Sequence, residues 1–322
     1  MRSLRLTAQA IYVTITDAVQ RMCGVFRYVY EEKDHGGNGV RRLTCILAAA
    51  LLLFLPVMRG SAEDAVDAQI ESVLEICVEE LGYTATKGGF SKYGEWAGGA
   101  YKEWCSEFVS WCTQQAGDRT GEPLLDVLYP MQAECQTGVD WFIQRGRYVT
   151  TTGTLKGYGE QWHWSDGVST AERPYIPQRG DLIYIEWYKY NRIDHVGIVE
   201  YLTRDMDGAI LIHTIEGNNK ILGPSPTNVQ RYTYRLDDAS IRGYGVTRDD
   251  AVGTTLQKGH ESDAVAALQR WLSATGHYAD EATGRFNART EEAVKAFQKE
   301  AGLSATGIAD AQTQRALKEA AQ

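Results

Sequence analysis

A cysteine at the start of a predicted helix is the first residue in this chain that could do chemistry. The apolar spacing from Glu103 to Gly117 predicts a buried helix, and Gly117 is its expected stop. Cys105 lies in the first turn, where free backbone N–H groups and the positive end of the helix dipole favour the nucleophilic thiolate. Since a lone cysteine is commonly a small core side chain, a reaction at Cys105 requires a base from elsewhere in the chain.

Two predicted strands supply that base and a group to orient it. On the strand from Asp194 to Leu202, side-chain alternation puts His195 and Gly197 on one face. On the strand from Ala209 to Glu216, His213 points away from the face that carries Glu216. We therefore predict Cys105 as the nucleophile, His195 as the base and then the acid, and Glu216 as the group that orients the imidazole.

Asn218 is the alternative or additional orienting group. Gly197 is expected to leave room for the Cys105 helix to approach. The backbone N–H of Cys105 is a candidate donor to the oxyanion of a tetrahedral intermediate. A Cys–His pair of this kind cleaves acyl bonds such as amides.

The register of the hairpin between these strands decides whether His195 and Glu216 meet. A two-residue turn at Asp207-Gly208 would put Glu216 opposite Val199, about 13 Å from His195. A four-residue loop from Arg204 to Asp207 would put Glu216 directly opposite His195. Local turn chemistry favours the first register and a working triad requires the second, which is the one we predict.

Helices come before strands in this part of the chain, which predicts an α+β fold. We expect an N-terminal segment over residues 1–62, a catalytic domain over 63–247, a linker over 248–254 and a small helical domain over 255–322. Short helices are predicted after Ser262 or Asp263, after Thr290 and from Gln312 to Leu317, with the threonines Thr290 and Thr313 as caps.

The N-terminal segment has the pattern of an export signal. Arg41-Arg42 precede an apolar run from Leu43 to Val57, and Gly60-Ser61-Ala62 follow as a small-residue cleavage site. Forty residues come before the run, so either translation begins internally or the segment stays as a membrane anchor. In both cases the remaining chain is expected to act outside the cytoplasm, with membrane contact only through this segment.

Charge and cysteine usage exclude several function classes. The net charge is −9, and residues 1–60 carry 8 basic and 4 acidic side chains, so the body of the chain is strongly acidic and nucleic acid is not an expected partner. The six cysteines have no metal-ligand spacing, and we expect no cofactor; a Cys77–Cys135 bridge stays open. We expect a monomer.

Four segments, in order, resemble the successive motifs of CHAP domains, the cysteine, histidine-dependent amidohydrolases/peptidases. They run from Trp104 to Cys112, Pro177 to Ile183, Asp194 to Val199 and Thr214 to Asn219. The resemblance covers about residues 63–247. It implies a papain-like α+β fold that hydrolyses peptidoglycan, as an amidase or an endopeptidase, with Cys105, His195, Glu216 and Asn218 as its site. Some relatives bind calcium through an acidic loop near the cysteine, but no Asp-rich loop precedes Cys105, so no metal is predicted.

The C-terminal segment resembles the three-helix peptidoglycan-binding domain type 1. An internal echo links Thr283-Gly284 to Thr306-Gly307, each a turn before a predicted helix. The residues that carry the resemblance are Leu256-x-x-Gly259, Val265-x-x-Leu-Gln269, Gly276, Thr290-x-x-Ala-Val-x-x-Phe-Gln298, Gly302-Leu303 and Gly307. The alternative is a small helical spacer.

Together the two resemblances imply a secreted or cell-wall-associated peptidoglycan hydrolase that is tethered to its polymer. The rival hypothesis is a non-catalytic wall-binding or scaffold protein that keeps the papain-like fold.

Overall fold

The computed structural model of the chain describes residues 29–33, 40–44, 62–86, 89–99, 103–188, 192–219, 227–248 and 251–322. The chain divides into two units, Met1–Gly60 and Ser61–Gln322. In the first unit, strands β1 (Val29–Lys33) and β2 (Val40–Thr44) pair antiparallel. Apart from Arg41 to Thr44 and Ala62, the segment predicted as an export signal lies outside the described residues. Within the described ranges, no helix is long and apolar enough to cross a membrane.

The second unit confirms the α+β prediction, with helices ahead of an antiparallel sheet. Its first four helices are α1 (Ala62–Glu79), α2 (Lys92–Trp96), α3 (Cys105–Thr120) and α4 (Cys135–Gln144). Its strands are β3 (Tyr148–Thr150), β4 (Thr154–Leu155), β5 (Gly159–His163), β6 (Leu182–Ile185), β7 (His195–Arg204), β8 (Ile210–Asn219), β9 (Asn228–Arg235), β10 (Ile241–Gly245) and β11 (Val252–Thr254). Six of them form one sheet in the order β3-β10-β6-β7-β8-β9, with every neighbouring pair antiparallel.

Helix α3 is longer than the sequence predicts. It continues through Gly117 to Thr120 and ends at Gly121, whose φ of 77° is the left-handed C-cap conformation. A Cβ on Gly117 would lie 2.7 Å from the carbonyl oxygen of Glu122, so this glycine allows a close backbone approach. The prediction of a stop at Gly117 is therefore wrong: both glycines suit a helix end, but only Gly121 adopts the required φ.

Strand β8 lets α3 pack directly on the sheet. A Cβ on Gly217 would lie 2.5 Å from the Cβ of Phe108 and 2.8 Å from the ring of Trp104. Both aromatic side chains are almost completely buried, and Tyr93 contacts both rings, with centroid distances of 5.0 Å to Trp104 and 5.3 Å to Phe108. This aromatic packing fixes the start of α3, and with it Cys105, against β8.

Strands β4 and β5, from the long segment between α3 and β6, form a second, small sheet with β11, in the order β11-β5-β4. Strand β11 pairs antiparallel with β5, with Gly253 opposite Trp162. Part of the predicted linker, residues 252–254, is therefore a paired strand. The limits of the predicted domains remain predictions.

The C-terminal region is helical, as the sequence predicts. Helices α5 (Asp263–Ala274), α6 (Ala288–Glu300) and α7 (Ala311–Ala320) enclose an apolar core. Ser262 caps α5, as one of the two predicted alternatives requires. Asn287 and Asp310 cap α6 and α7, so the predicted threonine caps are wrong.

Buried glutamines explain the internal echo. The side chain of Gln269 accepts from Gly284 N at 2.9 Å and donates to Thr290 Oγ1 at 3.0 Å. One repeat later, Gln298 accepts from Gly307 N at 2.9 Å and donates to Thr313 Oγ1 at 3.0 Å. In each repeat, a glutamine amide therefore hydrogen-bonds both to the Thr-Gly turn and to the following helix.

Gln298→Leu tests this account of the echo. The change leaves Gly307 N–H and other buried polar groups without their partner, and we expect the free energy of unfolding to fall by about 2–4 kcal/mol. Gln312→Leu on the exposed face of α7 is the matched control, expected to stay within about 0.5 kcal/mol of the unchanged protein. Equal denaturant midpoints for the two variants would contradict the role of the buried amide.

Candidate active site

Cys105 is the first residue of α3 and is almost fully buried. Trp104 occupies the N-cap position and provides no side-chain hydrogen bond to the helix. The Sγ of Cys105 contacts the Sγ of Cys135 at 3.6 Å, and Cys105 is also hydrogen-bonded to His195. The structure therefore brings the predicted nucleophile and the predicted base together.

His195 is the first residue of β7 and is buried against Trp187. The two rings are stacked, with centroids 4.1 Å apart and planes inclined by 20°. The Nε2 of His195 lies 2.8 Å from Oε2 of Glu216, which leaves Nδ1 as the ring nitrogen that can face Cys105. Trp187 is held in turn by Asp194, whose carboxylate accepts from Trp187 N at 3.0 Å. Asp194 thus holds the backbone of Trp187 at the start of β7.

Glu216 is completely buried and accepts hydrogen bonds at both carboxylate oxygens. The hydroxyl of Thr214 donates to Oε1 at 2.6 Å. The amide of Asn219 donates to Oε2 at 2.6 Å, the same oxygen that meets His195. These three neighbours hold the carboxylate beside the imidazole.

Both hairpin registers considered for β7 and β8 are wrong, although His195 and Glu216 do meet. Ile198 lies opposite Ile215, which places Glu216 beside Gly197, two residues from His195 and within diagonal reach. A bulge between Val199 and Tyr201 and a loop from Asp205 to Ala209 set this register. The sequence gives no signal for a bulge at this point of the strand.

Gly197 makes room for Glu216 rather than for the cysteine helix. A Cβ at position 197 would lie 2.7 Å from Cγ of Glu216. The close approach of α3 occurs at Gly217 instead. The prediction that Gly197 leaves room for the Cys105 helix is therefore wrong: the group that it accommodates is Glu216.

Asn218 does not orient the imidazole in this structure. Its amide donates to the carboxylate of Glu103, and its backbone has a positive φ of 57°. A register irregularity between Glu216 and Asn219 breaks the alternation of the strand, so Asn219 reaches the carboxylate instead. Asn218 lies at the wall of the adjoining cavity.

Sequence reasoning did not assign roles to Asn219, Trp187, Thr214 or Cys135. Alternation does put Thr214 on the face of Glu216, so that signal was available. Alternation does not point to Asn219, because the end of β8 is irregular, and Trp187 lies beyond the last paired residue of β6. No sequence spacing relates Cys135 to Cys105, because the two lie on different helices.

Hydrogen bonding and burial control the ionisation of Cys105. The hydrogen bond with Cys135 and the loss of hydration raise the pKa of the Cys105 thiol well above its ordinary value, while the hydrogen bond with His195 acts to lower it. The sequence predicted stabilisation of the thiolate by the helix start. In the structure the neighbouring thiol and burial act in the opposite direction.

His195 is shifted towards its charged form. Burial acts to lower the pKa of His195, but the Glu216 carboxylate and the contact with Cys105 raise it, to about 10. The imidazolium is thus favoured at neutral pH beside a buried carboxylate.

A cavity of about 640 Å³ adjoins His195. Charged groups at its wall include Glu103 and Arg192, and Tyr188 and Tyr232 add aromatic surface. The full lining is Glu103, Trp187, Tyr188, Arg192, Asp194, His195, Asn218, Asn219 and Tyr232. Among the residues that the structure describes, no three or more His, Cys, Asp or Glu side chains are grouped to hold a metal ion.

The raised pKa of His195 gives a measurable pH dependence. In NMR titrations of the imidazole signals, His195 should titrate near pH 10, while burial lowers the pKa of His260 below 6.5 in the same protein. Because the folded-state pKa of His195 exceeds the ordinary 6.5, its contribution to stability is complete below about pH 6.5 and is lost as the pH rises towards about 10. His195→Gln and His260→Gln assign the signals. A His195 signal that titrates at or below pH 6.5 would contradict the ion pair.

Solved structures give only weak similarity over the whole chain. A periplasmic domain of the EpsAB fusion protein of the Vibrio vulnificus type II secretion system is 16% identical, with a TM-score of 0.20 over 50% of this chain. The chain spans 62% of the length of that structure. A peptidoglycan-binding protein from Clostridioides difficile in complex with glutamine hydroxamate is 19% identical, with a TM-score of 0.20 over 53% of this chain and 97% of that one. No curated protein matches the chain.

Family comparisons are more informative because they match the two parts separately. Residues 96–218, which include Cys105, His195 and Glu216, match the CHAP domain. Residues 261–317, which include α5, α6 and most of α7, match the putative peptidoglycan binding domain. The CHAP match indicates a family of peptidoglycan hydrolases, in agreement with a buried Cys–His–Glu arrangement beside a cavity. The chain therefore carries a CHAP domain followed by a putative peptidoglycan-binding domain.

Proposed function

We propose that this protein hydrolyses an amide bond in the peptide part of peptidoglycan, with Cys105 as the nucleophile. The observation that supports it most strongly is the continuous contact from Cys105 to His195 to Glu216, beside the cavity that His195 lines. A buried thiol with only a structural role has no need of an imidazole held by a buried carboxylate. The C-terminal domain would hold the enzyme on the polymer and raise its effective concentration there.

The Cys–His pair has to lose one proton before the sulfur can attack. Since both pKa values are raised, the resting pair holds the Cys105 thiol and the His195 imidazolium. Loss of one proton leaves the thiolate beside the imidazolium, a step that belongs to the pair as a whole. Glu216 stabilises the imidazolium and keeps Nδ1 directed at the sulfur.

The reaction then follows acyl transfer through sulfur. Cys105 Sγ bonds to the carbonyl carbon, and the backbone N–H of Cys105, which the first turn of the helix does not use, donates to the oxyanion. His195 gives its proton to the leaving nitrogen as the C–N bond breaks, leaving a thioester. Water, deprotonated by His195, attacks the thioester and releases the acid and the thiol.

Cys105→Ala tests the proposal in the full chain. We expect the release of soluble muropeptides from purified walls to fall by at least about 10³-fold, because the nucleophile is absent. Cys112→Ala, two turns along the same helix and equally buried, is the control and should retain activity. Mass spectrometry of the products separates an N-acetylmuramoyl-L-alanine amidase, which frees whole stem peptides, from an endopeptidase, which cuts within them.

Two outcomes would contradict the proposal. Equal activity of the unchanged protein and Cys105→Ala would remove the nucleophile from the mechanism. No activity in either protein on several wall types, with wall binding intact, would favour the non-catalytic wall-binding protein.

The two neighbouring asparagines should differ in effect. Asn219→Ala removes a donor to Glu216 and lets the imidazole drift, so kcat should fall by up to about 100-fold with little change in KM. Asn218, which we propose to face the substrate from the cavity wall, should change KM more than kcat when replaced by alanine. Steady-state kinetics on a soluble muropeptide measure both. A larger loss of kcat in Asn218→Ala would return the orienting role to that residue.

A further inference from the structure

We propose that Cys105 and Cys135 form a reversible disulfide that switches the enzyme off under oxidising conditions. The two sulfur atoms lie 3.6 Å apart, whereas residues 105 and 135 are separated by 30 positions along the chain. Both cysteines are unpaired in this structure and both are buried in one core. The inhibitory effect rests on the proposed nucleophile, but formation of the bond does not.

The backbone presents the two thiols to each other. Cys105 is the first residue of α3 and Cys135 is the first residue of α4, so two helix N-termini meet at the sulfur pair. The thiolate is the form that reacts with oxidants. A disulfide bond is about 2.05 Å long, so the sulfurs have to approach by about 1.5 Å to form the bond.

Cys105 is the sulfur from which the reaction starts. Its hydrogen bond with His195 places an imidazolium beside it, which stabilises the thiolate once the proton has left. Cys135 is placed to react second, since its Sγ contacts both Cys105 Sγ and the hydroxyl of Ser106 at 3.3 Å. The pair has the arrangement of a reactive thiol with a resolving thiol.

The oxidant is a peroxide, and the step balances in two stages. The Cys105 thiolate attacks hydrogen peroxide to give a sulfenic acid and hydroxide. The Cys135 thiol then displaces water from the sulfenic acid, forming the S–S bond, so the sulfur pair loses two electrons and the peroxide gains them. A dithiol reverses the change by thiol–disulfide exchange and is itself oxidised to a disulfide.

The neighbouring thiol determines whether Cys105 is oxidised beyond the sulfenic acid. Without a neighbouring thiol, a sulfenic acid can proceed to sulfinic acid, which ordinary thiols do not reduce. With Cys135 in contact, the disulfide forms first and the nucleophile is protected while the enzyme is inactive. Disulfides persist outside the cytoplasm, where this enzyme is proposed to act.

The test is treatment of the full-length reduced protein with hydrogen peroxide at mildly alkaline pH. Peptide mapping should find a linked Cys105–Cys135 peptide pair, lighter by two hydrogen atoms than the separate peptides. Hydrolysis of purified walls should fall in proportion to the linked fraction and return with dithiothreitol. Mapping is needed because the chain has six cysteines, including a second neighbouring pair, Cys77 and Cys112.

Two variants separate the switch from other oxidation. Cys135→Ser should lose activity to peroxide without recovery by dithiothreitol, since Cys105 then proceeds to sulfinic acid. Cys112→Ala, which breaks the other pair, should form the Cys105–Cys135 link and recover as the unchanged protein does. Absence of the linked peptide from the oxidised wild-type protein, or full recovery of Cys135→Ser, would overturn the switch. A linked peptide in a protein that never hydrolyses walls would support the modification and overturn the proposed function.

Discussion

The site depends on one buried carboxylate. Glu216 is shielded from water, and a buried carboxylate is tolerated only when its oxygens are bonded and its charge is matched. Thr214, Asn219 and His195 meet those needs, and Gly197 leaves the space that the side chain occupies. Removing one partner of a buried ion pair typically costs about 3–5 kcal/mol, so the strand register, the irregular end of β8 and the rotamer of His195 are constrained together. The same constraint stabilises an imidazolium, which the proposed reaction needs as its proton donor.

Which residues face the site was easier to predict than the register of the strands. Period-two alternation distinguishes His195 from His213, because successive residues of a regular strand face opposite ways. The α+β fold and the helical C-terminal region also follow from patterns that repeat over many residues. Register does not, since a single bulged residue shifts every later pair, as between Val199 and Tyr201. The orienting role is predicted for Asn218 instead of Asn219 for the same reason: the alternation that selects position 218 fails where β8 becomes irregular.

The segment between α3 and β6 joins the two parts of the second unit, which a sequence pattern could not reveal. Strand β11 completes a sheet with β5, and the hydroxyl of Tyr158 donates to the carbonyl of Glu261 at 3.0 Å. Trp164 contacts Trp271 on α5, with ring centroids 5.8 Å apart. These contacts dock the helical C-terminal region against this segment. In the proposed hydrolase, a docked C-terminal domain would restrict which bonds near its contact point can enter the cavity, whereas a flexible tether mainly raises local concentration.

Helical geometry explains which cysteines are neighbours. Cys105 and Cys112 are seven residues apart on α3, about 10 Å along its axis, so they cannot meet each other and contact different neighbours. Cys112 meets Cys77 on α1, while Cys105 meets Cys135 on α4. The Cys77–Cys135 bridge that the sequence left open is therefore excluded, because each cysteine already faces another partner. The consequence for Cys105 is chemical: a thiol neighbour, rather than the helix start alone, governs its ionisation, and the segment that supplies this neighbour becomes part of the reactive centre.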